Sequence, residues 1–226
     1  MRDLDAYLFD AGGVLVLPDP TVLAPLLAPF GGSTAIDDHV RAHYRGMAVK
    51  SAVGSLETFW DDYDREYVRC IRVPDEDVVH AADVLGWTRN AWLWRWPIAS
   101  SVATLRRLHE AAVPIGVVSN ASGQIADVLR RSGVCQVGDG DHTPVRVIVD
   151  SHVVGVSKPH AEIFDHALHM FAGIAPERIG YVGDSVTMDI GGARAAGLHA
   201  ILLDPYDDHP DADFDRVRSL AELLSP

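Results

Sequence analysis

Five short apolar runs recur along this chain, and helical spacing fills most of the gaps between them. The runs are Leu4 to Phe9, Pro114 to Ser119, Val145 to Val149, Ile179 to Val182 and Ala200 to Leu203. Runs that stay apolar without alternating suit strands buried on both faces. Across 160–172, Ile163, Phe164, Ala167, Leu168 and Phe171 share one helical face, as do Val102, Leu105 and Leu108 across 101–112. Strands alternating with helices predict a doubly wound α/β fold, a parallel sheet covered on both sides that binds ligands at the carboxyl ends of its strands. A chain of 226 residues suits one such domain with an insert, and buries roughly 70% of its unfolded surface.

The rhythm breaks between about 18 and 96. This stretch holds Leu56, Phe59, Trp60, Tyr63 and Tyr67 at helical spacing after Ser55, an N-cap residue type, and no convincing strand. It predicts a helical domain over 18–96 inserted into a core made of 1–17 and 97–226. The insert closes on GWTRNAWLWRWP, whose Trp87, Trp92, Trp94 and Trp96 suit packing onto the core or stacking on a substrate. At the far end, the acidic segment Asp204 to Asp215 reads as a solvated loop before a last helix, Arg216 to Leu224.

Charge and cysteine content narrow the function. Thirty-two acidic against nineteen basic residues give a net charge of −13, which opposes nucleic acid and anionic lipid as partners. Cys70 and Cys135 are too few and too far apart for a disulfide framework and read as free thiols. The start does not resemble a signal peptide, and no apolar stretch reaches the ~18 residues of a membrane span. The expected setting is the cytoplasm. Only Lys50 and Lys158 are lysines, against seventeen arginines, so each is worth locating.

Four segments collect chemistry at strand ends: LFDAGGVL with Asp10 and Gly12, VVSN with Ser119 and Asn120, SKPHAEIF with Lys158, and YVGDSVTMDIGGARAAG with Asp184, Ser185 and Asp189. A carboxylate at a strand tip can attack phosphorus when a cation offsets the repulsion between anions. Magnesium takes oxygen ligands and keeps waters, so one or two carboxylates suffice to hold it. In this order, from Asp10 to about Gly197, the segments resemble the haloacid dehalogenase-like hydrolase superfamily, in its subgroup with a helical cap between the first and second motifs. The short span from 121 to 158 implies that the family's second type of cap is absent. The resemblance implies a magnesium-dependent phosphatase of a small phosphorylated metabolite, with Asp10 as nucleophile. Asp10, Asp184 and the Gly12 carbonyl would bind the metal, and Asp189, at the start of the next helix, would complete the metal set from behind. Ser119, Asn120 and Lys158 would bind phosphate, and Lys158 would also neutralise the nucleophile.

Gly12 departs from the pattern. The family's phosphatases usually carry a second aspartate there, which protonates the leaving oxygen, and such help is typically worth about 10²- to 10⁴-fold. A cap histidine such as His39 or His43 could substitute, or either could be a solvated surface residue. Two further readings follow: a non-catalytic module that binds a phosphorylated ligand or a partner, and a different hydrolysis on the same fold. The family's dehalogenases have an aromatic residue at this position and use no metal; its carbon–phosphorus hydrolases have a small residue and a cap lysine that forms a Schiff base. Lys50 lies in the cap, without a matching motif, and an exposed lysine is the plainer expectation. Arg41, His43 and Arg45 are candidates for substrate selection, near Gly46 and Gly54 as hinges or turns.

Overall fold

A computed structural model describes residues 4–54 and 58–224. In chain order the elements are β1 (Ala6–Phe9), β2 (Val16–Pro18), α1 (Pro20–Leu27), α2 (Ile36–Ala52), α3 (Asp61–Cys70), α4 (Val78–Thr88), β3 (Trp94–Pro97), α5 (Ala99–Glu110), β4 (Ile115–Ser119) and α6 (Ile125–Arg131). They continue with β5 (Cys135–Val137), β6 (Thr143–Val145), β7 (Ile148–Asp150), α7 (Ser151–Val154), α8 (Glu162–Leu168), β8 (Ile179–Gly183), α9 (Gly191–Ala195), β9 (His199–Leu203) and β10 (Asp215–Val217). Six strands form one sheet in the order β10-β9-β8-β1-β4-β7, and every pairing in it is parallel. The doubly wound sheet expected from the apolar runs is present.

β1 shows why its run lacks alternation. Tyr7 and Phe9 feed the apolar cluster on one face of the sheet, Ala6 and Leu8 the cluster on the other, so both sides of the strand are interior. Phe9 lies in register with Val117 of β4 and Val182 of β8. Asp10, Ser119 and Asp184 therefore emerge close together at the carboxyl edge. The chain leaves β1 toward β4 on one side and returns through β8 on the other, which opens a crevice at that edge.

Helices α1 to α4 have a third apolar cluster of their own, built on residues such as Leu23, Leu27, Tyr67, Val68 and Leu85. Asp19 caps α1 by accepting from the Thr21 amide at 2.9 Å, with Pro20 at the first helical position. The insert is not free of strands at its ends: β2 and β3 pair antiparallel, Leu17 opposite Trp96. Arg95 donates to Asp19 at 2.8 Å across the two connections. This ribbon escaped the sequence because two prolines and two tryptophans obscure any period. Among the described residues of the helix predicted from Ser55, regular structure begins at Asp61. Phe59 is exposed, Tyr63 and Tyr67 are buried, and Ser55 and Leu56 lie outside the described residues.

Two other expectations are corrected. The run Val145 to Val149 divides between β6 and β7. The last segment is not one helix: Asp215–Val217 is a parallel edge strand against β9, and a 3-10 turn follows over Leu220–Leu224. Asp204 decides this. It is buried rather than solvated, and it accepts from Arg216 at 2.8 Å and from the amides of Asp208 and His209, which pins Arg216 beside the sheet. Cys70 and Cys135 are free thiols. Among the described residues no helix is long and apolar enough to cross a membrane.

Candidate active site

Lys158 organises the carboxyl edge. Its Nζ reaches Asp10 Oδ1 at 2.9 Å and Asp189 Oδ1 at 2.7 Å, and donates to the Tyr181 hydroxyl at 2.9 Å, which uses all three N–H groups. Tyr181 had no signal in the sequence beyond being a buried strand residue whose polar tip needs a partner; it donates in turn to the Val118 carbonyl at 2.9 Å. Burial alone would lower the Lys158 pKa, but Asp10 and Asp189 outweigh it and hold the ammonium above its usual range.

Oxygens of Asp10, Asp184 and Asp189 all lie within 4.8 Å of one another. Burial pushes the Asp10 carboxyl up to about 7; Lys158 opposes the rise, and Asp189 and Asp184 add to it. Three buried carboxylates facing one ammonium are short of positive charge, and their hard oxygens suit magnesium. Asp189 is the most committed: Oδ1 receives Lys158, and Oδ2 receives the amides of Asp184 and Ser185 at 3.1 and 2.9 Å. It sits in the π-helical turn Val186–Ile190 rather than at a regular helix start.

Ser119 is buried at the end of β4 and lines the same cavity, of about 430 Å³, as Asp10, Lys158 and Asp184. The Asn120 side chain has another partner than the phosphate expected for it. Its amide oxygen accepts from Lys158 N at 2.8 Å and its nitrogen donates to Lys158 O at 3.1 Å, which fixes the backbone that carries the lysine.

The insert supplies the opposite wall with Met47, Lys50, Trp60, Arg89 and Trp94. Lys50 is 2% exposed, against the expectation of a surface lysine. Trp94 lies over Gly12: a Cβ there would meet two ring carbons at 3.2 Å. The volume that a second aspartate would need is thus bordered by an indole. Trp94 also meets His43 edge-on, ring centroids 5.3 Å apart. Trp87, by contrast, is 82% exposed.

His43 is buried as well, not solvated. Its Nε2–H donates to Asp184 Oδ2 at 3.0 Å, and Nδ1 accepts from the Tyr63 hydroxyl at 2.9 Å, the tautomer that serves both partners. Burial pushes its pKa down to about 3, so at neutral pH the ring is uncharged, and its one N–H is engaged in orienting a carboxylate. His39 is spent inside the insert, on Tyr67 and the Ser33 carbonyl. Arg41 grips Asp208 with two bonds of 2.6 and 2.8 Å, and Arg45 reaches Glu66 and Asp208; both belong to the seam between insert and core, away from the cavity. Gly46 is no hinge: it lies within α2, where a Cβ would meet the Tyr63 ring at 2.6 Å. Gly54 follows α2 in a left-handed turn.

A family model described as haloacid dehalogenase-like hydrolase matches residues 4–197. The glyceraldehyde 3-phosphate phosphatase of Methanopyrus kandleri is 29% identical over 168 residues, 70% of this chain and 69% of that enzyme. The phosphoserine phosphatase of Thermus thermophilus is 37% identical over 92 residues, 39% of this chain and only 36% of its own length. Among solved structures, the magnesium-bound HAD-hydrolase YfnB from Bacillus subtilis aligns with a TM-score of 0.60 at 19% identity, covering 99% of this chain and 98% of that one; at that identity the likeness is one of fold.

Proposed function

Because the chain belongs to the haloacid dehalogenase-like hydrolases, we propose that it is a magnesium-dependent phosphatase of a small phosphorylated metabolite, working through an aspartyl-phosphate at Asp10. The observation that carries this is the convergence of Asp10, Lys158 and Asp184 in one cavity. Named phosphatases among the relatives support it. Asp10, Asp184 and the Gly12 carbonyl would hold magnesium, which when bound would neutralise phosphoryl oxygens. Asp189 steadies the arrangement from behind, since protein donors already meet both its oxygens.

Asp10 attacks phosphorus, the bond to the leaving oxygen breaks, and water later releases phosphate from the acyl phosphate. Lys158 and Ser119 stabilise charge on the transferring group, while Asn120 keeps Lys158 in place. Gly12 stands where the second aspartate would be, and His43 is neutral. The leaving oxygen therefore takes its proton from water or from the substrate itself, which favours esters with good leaving groups. A reducing, cytoplasmic setting belongs to the same proposal.

Phosphate release from a broad panel of esters, with and without magnesium, is the test. Absence of magnesium-dependent release from even the most labile esters rejects the phosphatase; binding without turnover would then favour a non-catalytic module. One observation favours a second reading: Lys50 and Gly12 line one cavity with Asp10, as a carbon–phosphorus hydrolase using a Schiff base would require. Borohydride trapping with a carbonyl phosphonate decides, since absence of an adduct at Lys50 ends it.

A further inference from the structure

The hydrogen bond from His43 Nε2 to Asp184 Oδ2, 3.0 Å long, runs from the insert to the proposed metal site on the core. Both side chains are buried. Three rings meet the imidazole edge-on, Tyr44, Tyr63 and Trp94, with centroids 5.1, 5.8 and 5.3 Å away. The Tyr63 hydroxyl, 2.9 Å from Nδ1, completes its setting. By donating to Nδ1 it leaves the ring proton on Nε2, where Asp184 receives it.

Packing does not call for this chain of contacts. A leucine would fill the space of the imidazole without burying two ring nitrogens that each need a partner. The backbone at Gly13 accommodates the bond: φ there is +70°, and a Cβ would overlap the Asp184 carboxylate and come 2.8 Å from His43 Nε2. Any side chain at position 13 would displace the contact. Tyr44, next to His43 in α2, donates to the Gly13 carbonyl at 2.8 Å, one residue beyond the Gly12 carbonyl proposed as a ligand. Two consecutive residues of the insert thus hold the two pieces of the core from which magnesium would be bound. A carboxylate has about four lone-pair sites, so one fixed N–H sets its plane and leaves sites for a cation.

We propose that His43, set by Tyr63, is a positioning residue of the metal site: it holds the Asp184 carboxylate in the orientation that binds magnesium, so that metal binding and seating of the insert on the core strengthen each other by one common factor. The assignment rests on the reading of Asp184 as a magnesium ligand and adds to it a requirement for the insert.

Calorimetric titration of the whole protein with magnesium, without substrate, tests it on the wild type and on His43→Leu, His43→Gln and Tyr63→Phe, each folded as judged by its melting curve. His43→Leu should weaken binding by about 10- to 100-fold. His43→Gln, whose amide N–H can stand in for Nε2–H, should return it to within about threefold of wild type, and Tyr63→Phe, which keeps the ring and loses only the hydroxyl, should weaken it about fivefold. Wild-type affinity in His43→Leu overturns the proposal. Tighter binding does so too, since the imidazole would then compete with the ion. A His43→Gln no better than His43→Leu reduces the loss to packing and overturns it as well, while unchanged binding in Tyr63→Phe rejects the part given to the tyrosine. A wild type that binds no magnesium removes the metal assignment itself and with it the magnesium-dependent phosphatase. Should His43→Leu fail to fold, hydrogen exchange of the wild type decides: magnesium should slow the amides of α2 about tenfold beyond those of α5, and equal slowing of the two helices overturns the coupling.

Discussion

On the core wall of the cavity, Asp10 and Asp184 each follow a parallel strand and Ser119 closes one, and their meeting point is set by the register of β1 with β4 and β8. On the insert wall, Lys50 comes from the last turn of α2, Trp60 precedes α3, Arg89 follows α4 and Trp94 lies in β3. The first wall inherits its geometry from backbone hydrogen bonds, which no single side chain can shift. The second depends on how three helices and a ribbon pack. On the proposed function, chemistry would sit on the first wall and selection on the second.

The strongest attack on this division is Asp10→Asn, which keeps shape and removes the nucleophile. Phosphate release should fall by about 10⁴-fold or more, with loss of any phosphoryl adduct by intact mass. Activity surviving at a tenth of wild type would move the nucleophile elsewhere. Next comes the contact between the two walls at Gly12. Gly12→Asp alone sets a Cβ 3.2 Å from the Trp94 ring and should gain little; with Trp94→Ala, turnover of esters with poor leaving groups should rise by about 10²-fold. An equal gain without the second change would show that the indole yields freely.

His43 crosses the division, being an insert residue bonded to Asp184. His43→Asn should weaken magnesium binding by about 10- to 100-fold, read by calorimetry; unchanged affinity would reduce His43 to a packing residue. The smallest effect belongs to the insert wall alone. Burial pushes the Asp64 carboxyl up to about 6, against the pull of Arg89. Since this pKa is raised on folding, the folded state holds a proton that the unfolded chain releases near its ordinary value, and stability declines as pH rises through that window to about 6. From pH 7 to pH 5 the melting temperature of the wild type should therefore gain about 2 to 4 °C on that of Asp64→Asn. A constant difference would mean that Arg89 fully compensates the carboxylate.

The same division explains what could be read from the residues alone. Lys158, in the loop between α7 and α8, stood out by its place before Pro159 and an amphipathic helix, whereas Asp10, Ser119 and Asp184 stood out because a polar residue closing or following a buried apolar run has few places to go. The sheet itself was legible for the same reason. His43 and Lys50 were not: each occupies a helix, and which face meets the core depends on tertiary packing. Spacing cannot show that Trp94 would stand over Gly12, because the two are joined only through the β2–β3 ribbon. The last segment misled because Arg216 answers to Asp204, twelve residues back, and that pairing outweighs local helical preference.

Helix α2 joins these threads. Arg41, His43, Tyr44 and Lys50 ride on a single rod, with Tyr44 donating to the Gly13 carbonyl at 2.8 Å and Ser51 accepting from the Val186 amide at 3.2 Å. His43 and Lys50 are seven residues apart, two turns along nearly the same face. Swinging that rod outward would withdraw the imidazole from Asp184 and the ammonium from the pocket in one stroke. If Asp184 holds the ion as proposed, admission of a new molecule and slackening of the ion's grip would then be a single mechanical event.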